Sequence, residues 1–72
     1  MTYQVLRANT LTGNALADVA STEKDARRLI FWCATDNLGW PRRDATRAAD
    51  ALIIDEPYAL EYYVFTISEV AS

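Results

Sequence analysis

The chain has 72 residues, 51% of them hydrophobic, and its ten acidic and seven basic side chains give a formal net charge of −3. It contains no histidine and a single cysteine, Cys33, which excludes imidazole-based catalytic relays, histidine metal sites and a disulfide within one chain. We therefore expect no enzymatic activity, no catalytic residue, no cofactor and no metal. The length and the lack of an apolar run near ~18 residues predict one small domain over 1–72, soluble and cytoplasmic, without a membrane partner.

The first predicted element is a β-hairpin. Residues 2–8 and 16–20 are rich in strand-forming or alternating apolar residues. Between them, residues 9–14 supply turn chemistry, with Gly13 or Asn14 suited to a positive φ.

The next predicted element is a helix over residues 23–37. Ser21 and Thr22 both offer a hydroxyl N-cap, and acidic residues follow in the first turn, where the helix dipole favours them. The spacing i, i+3, i+4, i+7 predicts one buried stripe, made of Ala26, Leu29, Ile30 and Cys33. We expect the Cys33 thiol to be a small buried group rather than a reactive one.

A second helix is predicted over residues 41–53. Pro41 suits its first position, and the same spacing predicts a packing stripe of Ala45, Ala48, Ala49, Leu52 and Ile53. Because this stripe is mostly alanine, the second helix should bury little area.

Residues 60–70 give the strongest strand signal in the chain. One alternating set is Tyr63, Phe65 and Ile67, and the other is Leu60, Tyr62, Val64 and Val70. The predicted fold class is therefore α+β, in the order β-β-α-α-β, with a mainly antiparallel three-stranded sheet and both helices packed on one face. The pattern alone does not decide whether the last strand pairs with the first or the second strand. We prefer pairing with the first, because the second strand is shorter and alanine-rich and therefore suits the edge of the sheet. Part of the second sheet face, around Tyr62 and Val64, should be exposed, and a homodimer would cover it.

Aromatic residues and arginines gather around the predicted helix pair. Trp32 falls beside the buried stripe, and Trp40 lies in the turn between the helices. Because these residue types dominate interface energetics, we predict a protein-interaction module with the partner-binding residues Trp32, Trp40, Arg42, Arg43, Arg47 and, on the sheet, Tyr62. The alternative is that the two tryptophans only cover the edges of a small core.

A second hypothesis comes from another class of function. Two helices joined by a tight turn, with arginines opening the second helix, suggest a small nucleic-acid-binding regulator with a helix-turn-helix-like basic helix pair. Asp44 and Asp50 interrupt the basic stripe, however, and the net charge is negative, so this hypothesis ranks below protein binding.

The first 27 residues resemble the start of small orphan proteins encoded by actinobacterial phages and their hosts. The likeness lies in Tyr3-Gln4-Val5, in Leu11-Thr12-Gly13, and in the run from Ala20 to Arg27 that opens the first helix. The resemblance implies a phage or mobile-element accessory protein that binds and inhibits, or redirects, a host macromolecule. Anti-CRISPR inhibition is one form of such activity, although no residue specifically supports it, and the resemblance transfers no functional residue.

Overall fold

A computed structural model describes residues 2–70 and confirms the α+β class. Four antiparallel strands form one sheet, and two α-helices pack against it. The elements are β1 Thr2–Asn9, β2 Ala15–Ala20, α1 Glu23–Trp32, α2 Arg42–Ala51, β3 Tyr58–Leu60 and β4 Tyr63–Val70. Within residues 2–70, no helix is long and apolar enough to cross a membrane.

The prediction of a single last strand is wrong, and with it the three-stranded β-β-α-α-β order. The run from 60 to 70 is split between β3 and β4 by a turn at Glu61 and Tyr62, where Glu61 has a positive φ of 54°. Leu60 therefore ends a separate strand and faces the helices, 1% exposed, instead of sharing an outer face with Tyr62.

The strand order is β2-β1-β4-β3. The preferred pairing of the last strand with the first is confirmed, and so is the position of β2 at an edge. In the register, Val5 lies opposite Ile67 on one side and Asp18 on the other. Because directly paired residues of neighbouring antiparallel strands lie on the same face, these three residues share the helix-covered face of the sheet.

The first helix begins where the sequence predicts. Of the two candidate caps the structure uses Thr22, whose Oγ1 accepts a hydrogen bond from the Asp25 N–H at 3.1 Å. The helical path reaches Asn37 as predicted, but Cys33–Asn37 is a π-helical turn, closed by a bond from the Leu38 N–H to the Cys33 carbonyl at 3.2 Å.

The second helix is shorter than predicted at both ends. Pro41 is its N-cap, with an extended ψ of 150°, and not its first helical residue. After Ala51 the chain is extended again at Leu52. Ile53 therefore lies past the helix end and is 61% exposed, instead of completing the buried stripe.

The hydrophobic core is continuous but is built largely from small side chains. It consists of Val5, Ala20, Ala26, Ile30, Cys33, Ala34, Ala45, Ala48, Ala49, Leu52, Leu60, Phe65 and Ile67. Six of these 13 residues are alanines, so the helices approach closely while each buried side chain removes little apolar area from water.

Candidate functional site

Trp32 is the most prominent exposed group on the helix layer. It is the last residue of α1, flanked along the chain by the partly buried Phe31 and the buried Cys33. Successive helical residues are about 100° apart, so burial of Ala26 and Ile30 leaves the indole on the flank, 51% exposed. A large aromatic side chain is thus presented to solvent from a helix that the core holds in place.

Three depressions meet at this indole. The first, a cavity of about 210 Å³ between α1 and the β1–β2 hairpin, also contains Arg7, Asp18 and Leu29 in its wall. The second, of about 370 Å³, lies beside the end of β2 and includes Arg28. The third, of about 280 Å³, lies toward α2 and includes Arg42. Trp32 lines all three, so a partner side chain entering any of them would contact it.

Arg42 completes this surface on the α2 side. Its guanidinium carbon lies 5.9 Å from the centre of the Phe31 ring, a distance that allows a cation–π contact. The turn before α2 positions it: Gly39 takes a positive φ of 71°, and the Trp40 N–H donates to the Ala34 carbonyl at 2.9 Å. Trp32 and Arg42 are therefore held near each other by packed backbone.

Arg43 and Arg47 are exposed but point elsewhere. They lie one turn apart on the outer side of α2, opposite the buried alanines. Asp44 and Asp50 are exposed on the same helix, so α2 presents charges of both signs. We define the Trp32 surface as Trp32, Phe31, Arg42, Arg28 and Leu29.

The structure separates Trp40 from this surface. Its indole N–H donates to Oε2 of Glu61 at 2.7 Å, and its ring packs against the core. Of the two predicted tryptophans, Trp40 is thus the one that covers the core edge, next to the β3–β4 turn.

Tyr62 also lies apart from the Trp32 surface, in the turn between β3 and β4. Its ring centre is 4.8 Å from that of Tyr63, and its carbonyl accepts bonds from the N–H and Oγ1 of Thr10. The prediction that placed it at the centre of an open sheet face was wrong, because the strand is interrupted at this residue.

Sequence reasoning missed Arg28 and the exposure of Leu29. Arg28 precedes Trp32 by four residues, a spacing that places both side chains on one helix flank and was visible in the sequence. Leu29 was predicted to be core, but it is only partly buried because the neighbouring part of the sheet offers the short Ala20 and the charged Asp18.

Ion pairing leaves Arg42 free to bind. Within residues 2–70 the ion pairs are Arg27 with Glu23 at 3.6 Å and Arg28 with Asp25 at 4.0 Å, both within α1. Neither involves Arg42, whose guanidinium lies against the Phe31 ring in the depression that Asp36 also lines.

Cys33 lies beneath this surface and is buried, as predicted. Burial raises the pKa of its thiol, against smaller lowering effects from Asn37 and Arg7. The Asn37 Nδ2 donates to Sγ at 3.7 Å. The thiol is therefore protonated at neutral pH and shielded from solvent, which disfavours nucleophilic chemistry.

Other reactive groupings are sparse. In the part of the chain that the structure describes, no three Cys, Asp or Glu side chains come together as a metal site would require. What residues 28–42 do bring together is an exposed indole, an aromatic ring, guanidinium groups and the Asp36 carboxylate, which suit contact with another macromolecule.

Comparisons of the chain with protein-family models, with curated proteins and with solved structures found no match. The functional interpretation therefore rests on the chain's own residues, and the resemblance to phage-encoded proteins stays a prediction.

Proposed function

We propose that this protein is a non-enzymatic protein-binding module that contacts its partner through the Trp32 surface. The observation that carries the proposal is the 51% exposure of Trp32 on a helix that burial of Ala26 and Ile30 fixes in the core. Tryptophan and arginine are the residue types that most often dominate binding energy. A rigid helix presents them with little loss of conformational entropy on binding.

The chemistry of this surface favours a particular kind of partner. Trp32 and Leu29 offer apolar contact, while Arg42 offers a planar cation that has no carboxylate within 4.0 Å in residues 2–70. A complementary segment would place an apolar side chain against the indole and a carboxylate against the guanidinium. Asp18, Asp25 and Asp36 line the same three depressions as the arginines, so the surface as a whole has no excess of positive charge. We propose as the partner a partly apolar protein surface that places a carboxylate against Arg42, and inhibition of a host factor as the consequence of binding it.

Nucleic-acid binding receives weaker support. Arg42, Arg43 and Arg47 are all exposed, which favours phosphate contact, but Asp44 and Asp50 are exposed beside them on the same ten-residue helix. Binding to DNA would need a continuous basic face to neutralise adjacent phosphates. The mixed charge of α2 makes this the second candidate.

The test begins with capture of the partner from the native host and continues with the purified pair. Trp32→Ala should weaken binding by at least about thirtyfold, and Arg42→Ala by about tenfold, as for central interface residues. The matched control is Leu11→Ala, which removes another exposed large apolar side chain, 75% exposed at the tip of the hairpin. Thermal unfolding of each variant checks that the fold is intact.

Two results would contradict the proposal. In the first, Trp32→Ala binds the purified partner as tightly as the unsubstituted protein does. In the second, the protein shifts duplex DNA at low salt and the combined change of Arg42, Arg43 and Arg47 to alanine removes the shift, which would favour the nucleic-acid hypothesis.

A further inference from the structure

The two edges of the sheet are protected to different degrees. At one edge, β3 is only three residues long and lies between Pro57 and the left-handed Glu61, both of which prevent extension of the strand. At the other edge, β2 runs for six residues, ALADVA, without proline, lysine or arginine. Short length, proline and charged side chains are the usual means of blocking an edge. β2 has only one of these features, the charge of Asp18, so β2 is the less protected edge and the one more open to another strand.

The hydrogen bonds of the hairpin show which groups of β2 face outward. The Asn9 N–H donates to the Asn14 carbonyl at 2.8 Å, which makes these two residues a hydrogen-bonded pair. In an antiparallel ladder such pairs alternate, so Leu16, Asp18 and Ala20 bond to β1. The N–H and C=O groups of Ala15, Ala17 and Val19 therefore point away from the sheet, along its open edge.

The side chains of β2 fit a close approach. Ala15 and Ala17 are small, and the apolar Leu16 and Val19 are 53% and 72% exposed. By register, Val19 lies on the open face of the sheet and Leu16 on the helix face. A strand added at this edge would cover both apolar side chains while pairing the unbonded backbone groups.

We propose that a second copy of this chain occupies the edge, with the two β2 strands antiparallel about a two-fold axis. The two four-stranded sheets then join into one of eight strands, with all four helices on the same face. A two-fold axis presents the same backbone groups from both copies, so the open edge is self-complementary. The proposal does not depend on the Trp32 surface.

Charge selects the register of this pairing. Outward-facing residues must meet one another, so Ala17 can lie opposite Ala17, or Asp18 opposite Asp18, or Leu16 opposite Leu16 of the second copy. The Asp18 register sets like charges side by side, which is destabilising. The Leu16 register pairs only residues 15–17 of each strand. The Ala17 register pairs residues 15–19 and places Asp18 opposite Leu16, so it is the register we infer.

Because the core is built largely from small side chains, association with a second copy should add to the stability of the fold. Six of its 13 buried core residues are alanines, and domains of this size bury a smaller share of their surface than larger domains do. Pairing through β2 would add backbone hydrogen bonds and remove Val19 and Leu16 from water without any change in the monomer fold.

The register is tested by cross-linking. Opposed residues of a hydrogen-bonded antiparallel pair have Cα atoms about 5.5 Å apart, within the range that a disulfide spans. Ala17→Cys should therefore give a covalent dimer under mild oxidation at micromolar protein. Ala51→Cys is the control, since Ala51 is also an exposed alanine but ends α2. Equal cross-linking of the two variants would overturn the proposal.

The affinity is tested by sedimentation over a concentration series. Ala17→Pro removes an outward N–H from each copy without touching the bonds to β1, and should raise the dimer dissociation constant by at least about tenfold. Val19→Lys adds a cation at the same edge and should also raise the dimer dissociation constant. This variant replaces Ala17→Pro in the experiment if the proline variant does not fold. A protein that stays monomeric to millimolar concentration, or a dimer that neither substitution weakens, would show that β2 is not the interface.

Discussion

The indole N–H of Trp40 donates a 2.7 Å hydrogen bond to Oε2 of Glu61, 21 residues further along the chain. This bond joins the turn between the two helices to the turn between β3 and β4. Gly39 and Glu61, one in each turn, both have a positive φ. The contact therefore fixes two irregular segments against each other and explains why Trp40 is directed at its own fold rather than at a partner.

Loss of this contact should lower stability. Glu61→Ala removes the carboxylate that accepts the indole N–H, and we expect the free energy of unfolding to fall by about 1 kcal/mol, as for a hydrogen bond at a partly exposed site. Glu56→Ala is the control, because Glu56 is an exposed glutamate whose side chain makes no hydrogen bond or ion pair within residues 2–70. Urea unfolding measures both, and equal effects would contradict the role assigned to Glu61.

The same turn marks where sequence reasoning failed. The run from Leu60 to Val70 contains no glycine, proline or asparagine, so nothing in it signals a turn. Glu61 nevertheless takes the left-handed conformation, which is uncommon outside glycine, asparagine and aspartate. Tertiary contacts, among them the bond to Trp40, favour a conformation that local preference does not. Where local preference and periodicity agreed, as in β1 and at the start of α1, the sequence predicted the element correctly.

Arg27 should contribute more to stability than its neighbour Arg28. Its Nη1 donates to the carbonyls of Ala49 and Leu52, each at 2.8 Å, and so satisfies acceptors at the end of α2 that have no helical partner. Arg27→Met keeps the apolar stem and should cost about 2 kcal/mol. Arg28→Met should cost less than about 0.5 kcal/mol, because Arg28 is exposed and has only a long contact with Asp25. Thermal or urea unfolding of the pair tests this, and a larger loss from Arg28→Met would refute it.

This arginine shows a second limit of sequence reasoning. The spacing of α2 predicted a buried stripe of alanines, and Ala45, Ala48 and Ala49 are buried. It gave no sign that Arg27 would reach the carbonyls that end α2, since Arg27 and Arg28 are identical residues at adjacent positions. Burial of Ala26 and Ile30, which was predicted, sets the rotation of α1 about its axis. The sequence did not show which flank of α1 would face the end of α2, and that distinguishes Arg27 from Arg28. The Trp32 surface follows the same rule, because its flank was predictable but its meeting with Arg42 depends on how the helices pack.

Of the two hydroxyl groups that precede α1, the N-cap should depend on that of Thr22 and not on that of Ser21. Thr22→Ala removes the acceptor for the Asp25 N–H and should lower the free energy of unfolding by about 1 kcal/mol. Ser21→Ala is the matched control, because Ser21 is exposed and its hydroxyl does not cap the helix. Denaturant midpoints compare them. An equal or larger loss from Ser21→Ala would mean that the helix begins one residue earlier than described.

The last prediction concerns Cys33. A buried thiol should react slowly with a thiol reagent in the native protein and quickly in denaturant. Replacement by alanine should cost about 1 kcal/mol near neutral pH, since it removes a small buried group. Fast native labelling would contradict the burial of Cys33 against the sheet.

The pH dependence of that cost has a definite sign. Burial raises the pKa of the folded thiol above its unfolded value, so above the unfolded pKa, about 8.5, the unfolded state loses its proton first. The unfolded chain then binds fewer protons than the native one, and the stability contributed by Cys33 falls as the pH rises through the folded pKa. The stability advantage of the unsubstituted protein over Cys33→Ala should therefore be constant from pH 6 to about 8 and shrink above that range. An advantage that grows in alkali would show that the thiolate is stabilised in the fold, with Arg7 and Asn37 outweighing the effect of burial.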